Sequence, residues 1–303
     1  MKIAVVGCGA LGSFYGAKLC RDHQEVHFLL RSDYEVVRRR GVRIHSKEGD
    51  FNVRPKPARK PEEIGQCDLV LIGLKTTANE EFPRLLPPLA GPQTAVLTLQ
   101  NGLGNEERLA ELFAVEQIMG GLAFVCLNRT APGVVHHIDH GHIVLGEFRR
   151  WPEPRTHDIA TMFRHAGVPC DVTGNLARSH WEKLTWNIPF NGLGVASSAG
   201  WDSFANSIGR AVSARRLEPC LTTDKLLANS QWSVAVRELM HEVIAPRVVS
   251  ASSFRIRWPI SKSSVRSRWA LTNHQLSSIL KMDCRSNWMR SFWSPSDRLV
   301  PRK

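Results

Sequence analysis

The chain opens on a short apolar run, Ile3-Ala-Val-Val6, that stops at a glycine, and comparable runs return at residues 26–30, 67–73 and 94–99. Unbroken apolar runs of this length, bounded by turn residues, read as strands of a parallel sheet buried on both faces. Residues 11–19, between the first two runs, carry a helical pattern, so the chain begins with a strand, a helix and a second strand. A further helix ends near residues 40–41, and residues 42–45 and 51–54 form a short strand pair. Residues 117–147 alternate apolar and polar positions with glycine at the turns, which predicts antiparallel strands continuing the sheet. A helix over 156–165 and a short strand over 168–172 follow, and from Gly174 the texture turns helical. The pattern predicts an α/β chain with an N-terminal Rossmann-type doubly wound sheet over residues 1–173 and a helical C-terminal domain over 174–303.

The first turn carries the most specific chemistry. In Gly7-Cys8-Gly9-Ala10-Leu11-Gly12 the glycines have the spacing of a dinucleotide fingerprint, with a strand before and a helix after. Gly7 permits the tight turn, Gly9 lets backbone approach a pyrophosphate, and Gly12 lets the helix pack on the strand with its N-terminal amides facing the phosphates. At the end of the second strand, Arg31 and Ser32 offer a guanidinium and a hydroxyl suited to a 2′-phosphate, so NADP (NADPH) is the favoured cofactor. Asp33, close by, keeps NAD in play. Two later strands end in Lys75-Thr76-Thr77 and Gln100-Asn101-Gly102, where a doubly wound sheet places its ligands.

Length and charge narrow the class. The 303 residues hold about two domains of ordinary size. No apolar run approaches the ~20 residues needed to span a bilayer, so no membrane association is expected. Seven scattered cysteines without a paired Cys-x-x-Cys read as reduced thiols of a cytoplasmic protein. His136, His137, His140 and His142 cluster in a β-hairpin, where alternate side chains face opposite ways, so they read as solvated and no metal is expected. Of the formal net charge of +12, residues 246–303 supply +10, from 12 Lys/Arg against Asp283 and Asp297. The rest of the chain is near neutral and offers no footprint for nucleic acid.

In the helical half, Lys183, Asn187 and Asn191 recur every fourth residue and share one helix face, while Leu184, Trp186, Ile188 and Phe190 occupy the others. An ammonium and two carboxamides on one stripe suit a small anionic, carbonyl-bearing substrate. Pro189 removes a backbone bond and predicts a bend or break there.

Together these motifs resemble the ketopantoate reductase (2-dehydropantoate 2-reductase) family over residues 1 to about 245. The carriers are Gly7-x-Gly9-x-x-Gly12, the strand-end Leu-Lys75, the Gln-Asn101-Gly loop, and the Lys183, Asn187, Asn191 helix followed by Gly-Leu-Gly. The resemblance implies reduction of ketopantoate to pantoate with NADPH, in pantothenate and coenzyme A biosynthesis, by a cytoplasmic monomer or homodimer. It makes Lys183 the general acid toward the keto oxygen. Asn187 and Asn191 become substrate-orienting residues, and Lys75 and Asn101 lie beside nicotinamide and substrate. A reductase of another 2-keto acid and a non-catalytic NADP-binding protein are the alternatives.

The tail departs from the family. Residues 246–303 lack the family's Met-Gly-x-Tyr-x-Pro-Ser segment and its nearby glutamate, and carry four of the nine tryptophans. Codons for residues 269–299 can be chosen so that the same bases, read one base earlier, spell Met-Gly-Ala-Tyr-Gln-Pro-Ser-Ala-Leu-Ile-Asp-Phe and onward through a family-like tail. A frame change near residues 245–246 explains the composition. It predicts a poorly packed tail, with reductase activity weak or absent and the cofactor site intact.

Overall fold

The computed structural model describes residues 1–206 and 218–244; the expectations for the tail fall outside them. The chain divides into two compact units, Met1–His180 and one that begins at Trp181. The domain boundary expected after residue 173 falls in the loop ahead of the long helix that crosses this division.

In the first unit, β1 (Lys2–Val6), α1 (Ala10–Arg21) and β2 (Glu25–Leu29) form the expected opening. Then come α2 (Tyr34–Arg40), β3 (Val42–Ser46), β4 (Phe51–Val53), β5 (Lys56–Ala58), β6 (Cys67–Ile72), α3 (Phe82–Leu85), β7 (Ala90–Thr98) and α4 (Asn105–Leu109). The hairpin of β8 (Ile118–Ala131) and β9 (Val134–Glu147), α5 (Pro154–His165) and β10 (Cys170–Val172) complete it. The ten strands form one sheet in the order β4-β3-β9-β8-β7-β6-β1-β2-β5, with β10 beside β9. From β5 to β8 every neighbour pair is parallel, in the strand order of a dinucleotide-binding domain. The β8–β9 and β3–β4 pairs are antiparallel.

The sheet curls. Strands β4 and β5 end opposite sides of the order, yet only Arg54 and Pro55 separate them, and two linking residues span at most about 11 Å between strand ends. The curl wraps α1. Gly16 packs so tightly that a Cβ there would lie 2.5 Å from the Phe28 ring and 2.9 Å from Val5. On other sides of α1, Phe14 meets the His137 ring at 4.5 Å, the Tyr15 hydroxyl donates to the Gly141 carbonyl at 3.3 Å, and Lys18 pairs with Glu48 at 2.7 Å. A helix enclosed this way is apolar nearly all round, and Lys18, 5% exposed, is tolerated through its partner.

His137 is the exception to the solvated histidine hairpin. It is buried: Nε2 lies 2.9 Å from the His140 carbonyl and Nδ1 lies 2.8 Å from Ser46 Oγ. Desolvation lowers its pKa, so it sits as a neutral core residue with both ring nitrogens engaged. His142 pairs with Asp171 at 2.9 Å.

The start of α5 is held by a buried carboxylate. Glu147, 1% exposed, receives Arg155 Nε at 3.1 Å and the Arg155 terminal nitrogen at 2.6 Å, together with the Thr156 hydroxyl. Thr156 Oγ1 in turn accepts the Glu153 amide at 3.0 Å. Arg155→Met leaves that carboxylate short of its counter-charge and is expected to destabilise the protein by about 3 kcal/mol, read as a lowered urea midpoint at unchanged slope.

In the second unit, the end of α6 (Leu176–Ala196) is joined by α7 (Trp201–Asn206), α8 (Thr223–Ala228) and α9 (Ser230–Ile244). Phe190, Leu193, Leu226, Trp232, Val236 and Met240 form its core. Pro189 lies inside α6, and the helix runs through it unbroken. Of the bend or break expected there, the break does not occur, because side chains on both sides of the proline, Trp186 and Phe190 among them, are tied into that apolar cluster. Among the described residues no helix is long and apolar enough to cross a membrane.

Candidate active site

Strand order brings together the candidate residues of the first unit. Strands β7, β6, β1 and β2 are consecutive neighbours, so Asn101, Lys75, the Gly7–Gly12 turn and Arg31 follow the carboxyl ends of four adjacent parallel strands. The order reverses between β1 and β6, which is where such sheets bind ligands.

The turn is shaped by close backbone contacts. Gly7 has φ +95° and a Cβ there would lie 2.3 Å from the Leu74 amide nitrogen, while one on Gly12 would lie 2.3 Å from the Gly7 carbonyl oxygen. Gly73, which the sequence reading passed over, closes the same contact: a Cβ there would lie 3.0 Å from Gly12, and its amide donates to the Val6 carbonyl at 2.8 Å. The signal was a glycine ending an apolar strand. Gly9 differs, with open space where its side chain would be. It is the N-cap of α1 at φ −76° with no side-chain cap, so the amides of Ala10 and Leu11 begin a helix with no carbonyl ahead of them. Open space above a glycine, facing uncapped amides, fits a pyrophosphate. The Cys8 thiol, pushed up by burial, lies 3.4 Å from the Val5 carbonyl and 3.6 Å from that of Leu29; it is a neutral brace of the turn.

Asp33 is buried and tied into bonds within the protein. It is 6% exposed, and its oxygens receive a bidentate Arg129, the Gly133 amide at 3.2 Å and the Ser32 hydroxyl at 2.9 Å. Burial would raise this carboxyl, but those hydrogen bonds outweigh it and hold it below the ordinary aspartate value. Arg31 remains exposed at the strand end.

Lys75 caps the short helical segment after β6 and is exposed. Asn101 lies in the loop after β7, and its carbonyl accepts from Asn105 Nδ2 at 3.3 Å. Asn79 and Asn105, polar residues beyond the strand ends, were missed by the sequence reading; their bonds extend this loop's network.

Lys183, Asn187 and Asn191 lie along α6 beyond the division, with Lys183 and Asn187 half-buried and Asn191 exposed. Desolvation lowers the Lys183 pKa to about 8, which brings its proton within reach of neutral-pH chemistry. His180, three residues earlier in the first unit, pairs with Glu106 at 3.0 Å, both buried.

The sequence profile described as Ketopantoate reductase PanE/ApbA matches residues 3–150. A 2-dehydropantoate 2-reductase of Nostoc is 39% identical over 250 residues, 80% of this chain and 72% of the relative. One from Halobacterium salinarum is 33% identical over 63% of this chain and 64% of its own. The crystal structure of 2-dehydropantoate 2-reductase from Geobacter metallireducens superposes with a TM-score of 0.75 at 40% identity, covering 99% of this chain and 89% of that one. With a fingerprint turn at the switch point of the parallel β5-β2-β1-β6-β7-β8 sheet and relatives this similar over most of their length, the chain belongs to the ketopantoate reductase family.

Proposed function

We infer that this chain reduces the keto group of ketopantoate to the alcohol of pantoate, with NADPH as the preferred reductant. The observation that carries this reading is Lys183, a half-buried ammonium with a pKa lowered to about 8 on the helix that also presents Asn187 and Asn191. When bound, the reduced nicotinamide supplies the hydride. As the new C–H bond forms, the carbonyl π electrons move to oxygen, and Lys183 gives that oxygen its proton and becomes a neutral amine. A donor aimed at charge that develops in the transition state lowers the barrier more than it tightens substrate binding. Asn187 and Asn191 orient the substrate's hydroxyl and carboxylate, and Lys75 and Asn101 complete its polar surroundings. The Gly7–Gly12 turn, Cys8, Ala10 and Leu11 included, holds the pyrophosphate.

Preference for NADPH rests on Arg31. With Asp33 occupied by Arg129, the exposed charge at the end of β2 is the guanidinium, which suits a 2′-phosphate. Arg31→Ala is expected to weaken NADPH binding by about 10- to 100-fold, one or two charge-assisted hydrogen bonds, and to leave NADH binding unchanged. Nicotinamide fluorescence titrations measure both.

The overall reading is tested by following NADPH absorbance on addition of ketopantoate, against other 2-keto acids. Tight NADPH binding with no oxidation by any of them would favour the non-catalytic alternative. Restoring the reading frame beyond residue 245 is expected to raise a weak rate.

A further inference from the structure

We propose that Asn79 and Asn105 are positioning residues of this site, links in a one-way chain of carboxamides that sets the backbone of the loop bearing Asn101. The proposal deepens the reductase reading and rests on it for the role of Asn101.

The chain starts at Thr98, whose Oγ1 accepts the Gln100 amide at 3.2 Å and whose hydroxyl donates to Gln100 Oε1 at 3.0 Å. Gln100 Nε2 then donates to Asn79 Oδ1 at 2.8 Å, Asn79 Nδ2 to Asn105 Oδ1 at 2.9 Å, and Asn105 Nδ2 to the Asn101 carbonyl at 3.3 Å. Thr98, Gln100 and Asn105 are buried, Asn105 to 1% exposure. The links cross from the loop after β7 to the segment after β6 and back, so they join the two loops that hold Asn101 and Lys75.

The direction of the chain is set at its carbonyl end. The final acceptor is a backbone carbonyl, which can never donate, so Asn105 must present its NH2 there and its oxygen to Asn79. At the other end the Thr98 hydroxyl accepts the Gln100 amide on one lone pair and donates its hydrogen to Gln100 Oε1. Every carboxamide therefore has one permitted orientation, and an error at any link is passed to the Asn101 carbonyl. Asn79→Asp is the sharpest such error. A carboxylate keeps the shape and still accepts from Gln100, but it turns oxygen toward Asn105 Oδ1. If Asn105 turns over to donate to it, oxygen then faces the Asn101 carbonyl. In a buried network an unmatched pair of acceptors is relieved by movement of the softest member, here the 100–104 loop, with Gly102 and Gly104 both at positive φ.

Two measurements on the full chain test this. Hydrogen–deuterium exchange of peptides spanning residues 99–106 is expected to be about tenfold faster in Asn79→Asp, with strands β1 and β6 unchanged. This readout does not depend on turnover. In single-turnover reduction of ketopantoate with enzyme in excess and NADPH saturating, Asn79→Asp is expected to lower the rate on the order of 10²-fold through misplacement of Asn101. In an Asn101→Ala background the same substitution is expected to add little, because the group it misplaces is already gone. Unchanged exchange in the 99–106 peptides overturns the proposal, as does a rate loss that persists undiminished in the Asn101→Ala background. An unsubstituted chain that oxidises no NADPH with ketopantoate counts against the reductase reading, while the exchange result still decides whether the carboxamides position this loop.

Discussion

Replacing Lys183 by alanine is expected to lower single-turnover oxidation of NADPH by ketopantoate about 10²–10⁴-fold, the usual contribution of a positioned proton donor, while NADPH affinity stays within about twofold because the lost group acts in the transition state. The unsubstituted chain should show a basic limb: the donor is the ammonium, so kcat/KM falls as pH rises through the Lys183 pKa of about 8. Lys183→Arg restores the charge but not the acid, since a guanidinium holds its proton to far higher pH. Its rate is expected to stay low and the basic limb to vanish. A Lys183→Ala chain that turns over at the parental rate would remove this residue from the chemistry.

The second large effect separates cofactor binding from folding. Gly9→Val places a branched side chain where nothing lies within 4 Å, on a backbone at φ −76° that any residue adopts. Stability should therefore change by no more than about 0.5 kcal/mol. The side chain fills the approach to the uncapped amides of α1, and loss of the charge-assisted hydrogen bonds made there is expected to weaken NADPH at least about 100-fold. Gly7→Ala is the contrast. At φ +95° and 2.3 Å from Leu74 N, it strains the turn itself and should lower thermal stability and cofactor affinity together. If Gly9→Val binds NADPH as the parent does, the pyrophosphate does not lie over this turn.

Much of the architecture was legible along the chain because buried parallel strands write their burial into contiguous apolar runs, as in β1, β6 and β7, and because Gly7 and Gly12 mark a turn whose geometry other residues resist. The helix stripe of Lys183, Asn187 and Asn191 was legible for the same local reason, its fourfold spacing. Pro189 does not interrupt the helix, since a single missing backbone bond is weighed against the packing of Trp186 and Phe190 on either side, which no local pattern reveals. Asn79 and Asn105 were overlooked because isolated asparagines in loops look like solvated turn residues until their partners, distant in sequence, are known.

From residue order alone came the strands, the glycine turn, the family and the change of texture at residue 246, all properties of contiguous segments. Folding settled what depends on residues far apart. The curl that brings β4 and β5 together encloses α1 and makes a core residue of His137. Arg129, nearly a hundred positions away, takes up Asp33 and leaves Arg31 at the strand end. Such pairings carry no periodic signature, because hydrogen bonds and charge neutralisation act across space and are indifferent to separation along the chain.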